Sequence, residues 1–256
     1  AFESRIEHAG HGEQDAPRKV LFSCHARNVG KPRAAPSVPV LGSEARYPVR
    51  RIFCVGRNYA AHALELGNAV DREAPIWFNK APAALCLSGK AIPYPPGTSN
   101  CHYEMEFVVA IGAPAFRVAP EDAMEVVYGY AAGLDMTRRD LQNASKAKGY
   151  PWDTGKDFEN GAVIAAITPV AAFGAVADQR IALVQNGETK QDGTLSDMIW
   201  SVPELIANLS RLYHLAPGDL IYTGTPAGVG PVAEGDVLEG TIDGLEPVRL
   251  DITAAE

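Results

Sequence analysis

No apolar run in this chain approaches the roughly 18 residues that a membrane span requires. The amino-terminal stretch also lacks the basic-then-apolar order of a secretory signal, so a cytoplasmic protein is the expectation. Basic clusters are missing too. The 23 lysines and arginines are scattered among 31 acidic residues, giving a formal net charge of -8. No segment can neutralise a run of phosphates, and nucleic acid is not an expected partner. Cysteine is scarce: Cys24, Cys54, Cys86 and Cys101 have spacings unlike those of zinc or redox motifs. They read as free thiols, because a cysteine nucleophile would need a histidine that only the fold could bring near. A regular alternation of strand with long helix is also absent, which argues against a doubly wound sheet.

What the chain does have is 46% hydrophobic content over 256 residues, enough for a large core. Residues 1 to about 45 are polar, rich in proline and glycine, and carry His8, His11 and His25 without periodicity. An irregular arm is expected there, followed by one catalytic domain over 46–256. His8 and His11 could ligate a metal, although a solvated chain end is the simpler reading. From Arg51 onward short apolar runs alternate with turn residues: Ile52 to Val55, Ile76 to Phe78, Phe107 to Ile111, Val126 to Leu134, Val163 to Ile167, Ile181 to Val184, Leu220 to Tyr222, and a last pair around Val237 and Val248. These predict strands. Asn186-Gly187 is the strongest hairpin signal. Helices are expected to be short: one opened by Asn58, one near Thr137, and one from Pro203 to Tyr213 with Leu205, Ile206, Leu209 and Leu212 on one face. The fold class is therefore mainly β with short helices, closer to a roll or sandwich than to a parallel α/β sheet.

Five stretches could carry chemistry. From His102 to Ile111, period-two alternation puts Glu104, Glu106, Val108 and Ala110 on one face and Met105, Phe107, Val109 and Ile111 on the other. The strand enters a core just past two carboxylates about 7 Å apart at Cα, which would repel each other there. A hard cation with oxygen ligands would compensate them, and Mg2+, Mn2+ or Ca2+ suits carboxylates better than zinc; an exposed strand end with solvated glutamates is the alternative. Asp135 closes a glycine-punctuated apolar strand, where it could join that site or help cap the helix after it. His62 and Glu65 share one face of a short helix, either as a surface pair or as a base oriented by a carboxylate. Lys156 lies on a glycine-bearing loop, solvent-facing or placed to stabilise an oxyanion. The turn from Gly224 to Gly230 lacks the Gly-Lys-Ser/Thr ending of a phosphate loop. It is a plain turn or one that offers N–H groups and Thr225 to a carboxylate.

In their order along the chain, Gly56 to His62, Glu104-Met105-Glu106, Gly133 to Gln142, Gly155 to Phe158 and Gly218 to Gly230 resemble the fumarylacetoacetate hydrolase family. The resemblance runs from about residue 38 to the end, and around Arg51, Thr137 to Gln142 and Trp200 to Glu204 it is most similar to the fumarylpyruvate hydrolase branch. It implies a mixed β-roll, usually a homodimer. It also implies a divalent metal on Glu104, Glu106 and Asp135, with a His62–Glu65 pair on a lid-like helix. Substrate contacts are implied at Arg57, Tyr59, Lys80, Arg139, Gln142, Lys156 and Thr225, and the substrate would be a small anionic 2-oxo acid. Asn160 falls where some relatives carry a hydroxyl or acid in the substrate pocket. The implied reaction is hydrolytic carbon–carbon cleavage of an acylpyruvate. The rivals are decarboxylation of oxaloacetate, keto–enol isomerisation of a related diacid, or an inactive dicarboxylate-binding protein.

Overall fold

The computed structural model describes residues 35–65, 67 and 72–256. His8, His11, His25 and Cys24 therefore lie outside the described residues. Strands β1 (Ser37–Pro39), β2 (Arg46–Pro48) and β3 (Arg51–Gly56) lead into helix α1 (Ala60–Glu65). Next come β4 (Ile76–Lys80), β5 (Leu85–Leu87), β6 (Lys90–Pro93), β7 (Cys101–Tyr103), β8 (Met105–Ile111), β9 (Val127–Asp135) and β10 (Thr137–Arg138). Helices α2 (Arg139–Lys148) and α3 (Asp153–Lys156) precede β11 (Ala162–Ile164), β12 (Thr168–Pro169) and α4 (Val170–Phe173). The chain closes with β13 (Arg180–Gln185), β14 (Glu188–Thr194), α5 (Val202–Leu212), β15 (Asp219–Tyr222), β16 (Gly230–Pro231), β17 (Val237–Ile242) and β18 (Val248–Thr253).

These strands form a mixed β-roll. A large curled sheet has the order β4-β3-β15-β8-β9-β11-β5, with β12 beside β9; a second sheet runs β14-β13-β17-β18-β6, and a small one β10-β7-β16. Most pairs are antiparallel, but β15 lies parallel to β3, β11 to β5 and β18 to β6. Alternation along β8 sorts its side chains as period two requires. Met105, Phe107, Val109 and Ile111 join Leu183, Leu238 and Leu250 in one core. Val108 and Ala110 join Ile52, Cys54, Leu220 and Tyr222 in another on the opposite face. The Asn186-Gly187 turn has φ of 53° and 84°, the left-handed pair that a tight hairpin needs.

Several local expectations are corrected. Residues 37–40 belong to the fold rather than to an irregular arm, because β1 pairs with β2 and Val38 and Val40 are buried. Asn58 does not cap α1: its amide donates to the carbonyls of Trp200 and Thr223 and its Oδ1 accepts from Trp200 N, which ties three segments together. Helix α2 starts at Arg139, since Thr137 and Arg138 are spent on pairing with β7. Helix α5 is opened by a Ser201–Glu204 capping box, and its apolar stripe ends at Leu209, leaving Leu212 63% exposed on the last turn. Among the described residues no helix is long and apolar enough to cross a membrane.

Candidate metal centre

Glu104 is the single residue between β7 and β8, where the chain passes from the small sheet to the large one, and Glu106 is the second residue of β8. Strand β9, antiparallel to β8, ends at Asp135, whose N–H donates to Glu104 O. Three carboxylates from two neighbouring strand ends thus converge, each with an oxygen within 4.8 Å of the others, and all three are buried. Glu106 accepts the Gly224 N–H at 2.8 Å. Burial and the facing charges of Asp135 and Glu104 push the Glu106 carboxyl well above its ordinary range. Asp135 Oδ1 is buried without a hydrogen bond, its ion-pair partner being Lys80 Nζ at 2.8 Å. Hard, crowded, incompletely satisfied oxygens are a donor set for Mg2+ or Mn2+, with Ca2+ within the same chemistry.

Cations surround the acids. Lys156 is not a loop lysine: it closes the one-turn helix α3 and is buried. Its ammonium donates to Glu104 Oε2 at 2.7 Å, Asp135 Oδ2 at 2.6 Å and Thr137 Oγ1 at 2.8 Å. Burial lowers its pKa, but Asp135 and Glu104 outweigh that and leave it raised. Gly155 allows this placement, since a Cβ there would stand 2.8 Å from Gln142 N and force α3 off α2. Arg139 ion-pairs with Glu104, donates to Gln142 Oε1 at 2.6 Å and is steadied by His102 Nδ1 at 3.5 Å. Burial opposes ionisation of Glu104, but Lys156, Arg139 and His62 prevail, holding its carboxyl far below the usual range. His102 is pushed down to about 4 by burial and Arg139, so it stays neutral.

On the other side, His62 is buried and its Nδ1 lies 3.3 Å from Glu65 Oε2. Glu65 accepts the Gly228 N–H at 3.1 Å. With Nδ1 donating to Glu65, Nε2 is the free acceptor. Burial lowers the His62 pKa below its ordinary 6.5, partly countered by Glu104 and by the bond to Glu65. The Gly224 turn therefore offers N–H groups to two carboxylates of the protein itself. Thr225 Oγ1 accepts from Gln191 Nε2 at 2.8 Å. Gln191, on β14, gives no sequence signal, and it also accepts the Met105 N–H at 2.9 Å, linking the two sheets under the site.

These groups line a cavity of about 20 Å³, room for about one water. Its walls include Arg57, His62, Phe78, Glu104, Glu106, Arg139, Gln142, Lys146, Trp152, Lys156 and Thr225. Arg57, Phe78, Lys146 and Trp152 are only half-buried, so the mouth lies among them. Two expected substrate residues stand elsewhere. Lys80 is wholly buried behind Asp135, its ammonium donating to the carbonyls of Met136 and Lys156, and it is not a wall of this cavity. Tyr59 faces a separate cavity with Asp192, Asp197 and Pro226. Asn160 sits in a turn at φ 60° and is not a cavity wall. The larger cavity, about 590 Å³ and lined by residues such as Met124, Val170, Leu195 and Met198, contains no carboxylate, imidazole or ammonium and has no means of doing this chemistry. Cys54, Cys86 and Cys101 are free and buried, with Cys86 raised to about 11 and Cys101 to about 12 by burial. They stay protonated and are poor nucleophiles.

Comparison with known proteins adds an independent finding. The model of the fumarylacetoacetate (FAA) hydrolase C-terminal family matches residues 51–253. A fumarylpyruvate hydrolase of a Ralstonia species is 53% identical over 194 residues, covering 75% of this chain and 100% of that protein. The oxaloacetate tautomerase of Escherichia coli (strain K12) is 40% identical over 204 residues, covering 79% of this chain and 93% of that one. Among solved structures, the fumarylpyruvate hydrolase from Pseudomonas aeruginosa in complex with Mn2+ and pyruvate superposes with a TM-score of 0.86 at 43% identity, over 89% of this chain and 99% of the other.

Proposed function

Because the chain belongs to the fumarylacetoacetate hydrolase family, we propose that it is a metal-dependent hydrolase that cleaves fumarylpyruvate, an acylpyruvate, into fumarate and pyruvate. The observation that carries this reading is the buried Glu104–Glu106–Asp135 cluster, whose Glu104 and Glu106 share one cavity with His62 of the His62–Glu65 pair. A structural cation would need the three acids but no poised base. Mg2+ or Mn2+ is the metal we assign, held by those three carboxylates. Bound there, it would supply Lewis-acid stabilisation to oxygen atoms of the substrate.

The protein's own groups do the rest. His62, kept in one tautomer by Glu65, takes a proton through Nε2 from a water, and that water adds to the carbonyl of the acyl group. The bond between this carbonyl and the pyruvate methylene then breaks. Its electron pair leaves with the pyruvate carbon, which recovers the proton from His62. Gln142, with Oε1 fixed by Arg139, has its amide N–H free for the oxygen that gains charge. Lys156 puts a fixed positive field beside it, and Thr225 and Arg57 complete the walls. A substrate of seven carbons exceeds the present cavity, so the half-buried mouth residues must part when it enters. The same family membership supports a homodimer acting in the cytoplasm, within aromatic catabolism of the gentisate type.

The test follows fumarylpyruvate loss by ultraviolet absorbance in metal-stripped protein and after Mg2+ or Mn2+ is restored, with oxaloacetate run in parallel. Metal-dependent release of fumarate and pyruvate is expected. Turnover of oxaloacetate alone would replace this reading with a decarboxylase or with a tautomerase, the latter being the activity named for the relative at 40% identity.

A further inference from the structure

Each cation at the depth of the cavity is already committed. Lys156 is held by Glu104, Asp135 and Thr137, Arg139 by Glu104 and Gln142, and Lys80 stands behind Asp135. Two positive side chains at the mouth differ. Arg57 and Lys146 line the same cavity, both half-buried, and neither has a carboxylate partner among the described residues. Lys146 projects from the last turns of α2, and its ammonium lies 6.0 Å from the centroid of the Trp152 ring, so it stays at the mouth. Arg57 is held at φ 59°, a left-handed conformation that a side-chain-bearing residue rarely adopts, just where β3 ends beside the cavity. Burial and the neighbouring charges of Arg57, Arg139 and Lys156 lower the Lys146 pKa, outweighing the opposing pull of Glu104. Half-buried cations set close together without a counter-ion are unfavourable, and an arriving anion relieves that cost.

We infer that Lys146, together with Arg57, receives the far carboxylate of the substrate, so that the site selects 2-oxo acids carrying a second acid group at the opposite end. This rests on the reading of the cavity as the 2-oxo acid site. One end of such a dianion meets the acid cluster with its metal, and the other end meets the unpaired cations at the mouth. Lys146 is thereby a specificity-determining residue, distinct from the groups that move protons.

The experiment is calorimetric binding of two 2-oxo acids that the protein cannot cleave, titrated into the Mn2+-loaded full chain. One is 2-oxoheptanedioate, which matches the seven-carbon diacid skeleton of fumarylpyruvate. The other is 2-oxoheptanoate, which lacks the far carboxylate. The wild type should bind the diacid roughly tenfold more tightly, as expected for about 1.4 kcal/mol of added charge pairing. Lys146→Met should remove most of that preference while leaving the monoacid affinity in place, and Lys146→Arg should keep it. Absence of preference in the wild type, its survival in Lys146→Met, or equal weakening of both acids would each overturn the assignment. Fumarylpyruvate cleavage by the wild type is scored separately. A protein that does not cleave it but shows the Lys146-dependent preference overturns the hydrolase reading alone.

Discussion

His62 can accept a proton only while it is neutral, and its surroundings favour that form. Burial disfavours the imidazolium, while Glu104 and Glu65 pull the other way, and the balance leaves the pKa below 6.5. The acid limb of kcat/KM on fumarylpyruvate should therefore lie below 6.5, with activity lost as pH falls through it. Glu65→Gln removes an interaction that raises the His62 pKa, so the limb should move to still lower pH. The plateau should also drop at least tenfold, because the imidazole is less basic and less well oriented. A pH–rate profile checks both; a limb that moves upward contradicts the assignment of Glu65. At this scale the sequence is readable in part. Glu104, Glu106, Asp135, His62, Glu65, Lys156 and Thr225 are candidates on residue type and spacing, Arg139 and Gln142 through the family resemblance alone, and the fold brings these side chains around one site. Lys80 and Tyr59, expected from the resemblance, stand behind the acids and at a separate cavity, a placement that a matched motif leaves undecided.

Among the elements, β3 and β15 form the parallel pair that brings the Gly224 turn over the acids. Its anchor is Asp219, fully buried at the start of β15. It takes two bonds from Arg51 at 2.9 Å and 2.6 Å, two from Arg50 at 3.2 Å, and the Ala216 N–H at 2.9 Å. Removing one partner of such a network leaves unpaired charge behind. Asp219→Ala should destabilise the fold by about 3 kcal/mol, read as a lowered midpoint in denaturant unfolding. Loss under about 1 kcal/mol would mean that the arginines pair as well with water. The Asn186-Gly187 hairpin and the long strands were legible because their signals are local and periodic. Helix α3 is not, because four residues carry no period, and the sequence alone places Lys156 on a loop.

For the molecule as a whole, the acid cluster stores repulsion that a cation would convert into stability. Mn2+ at about a hundred times its Kd should add about 2.7 kcal/mol, raising Tm by about 5–10 °C for a domain of this size. Glu106→Gln should abolish most of that shift without lowering the metal-free Tm, because the neutral side chain can still accept the Gly224 N–H and no longer faces two carboxylates. Differential scanning calorimetry with and without Mn2+ reads both outcomes; a metal-free variant much less stable than the wild type would mean that Glu106 serves packing and not metal. The sequence by itself determined the mainly-β class, the alternation of β8 and the residue types of the site, since these depend on local periodicity and on side-chain chemistry. Only the tertiary structure decided which carboxylates converge, that Lys156 lies between two of them, that Lys80 stands behind Asp135, and that Arg57 and Lys146 at the mouth have no carboxylate partner among the described residues. Those relations join residues far apart in the chain, and burial and pairing across such distances are set by how the sheets close on one another.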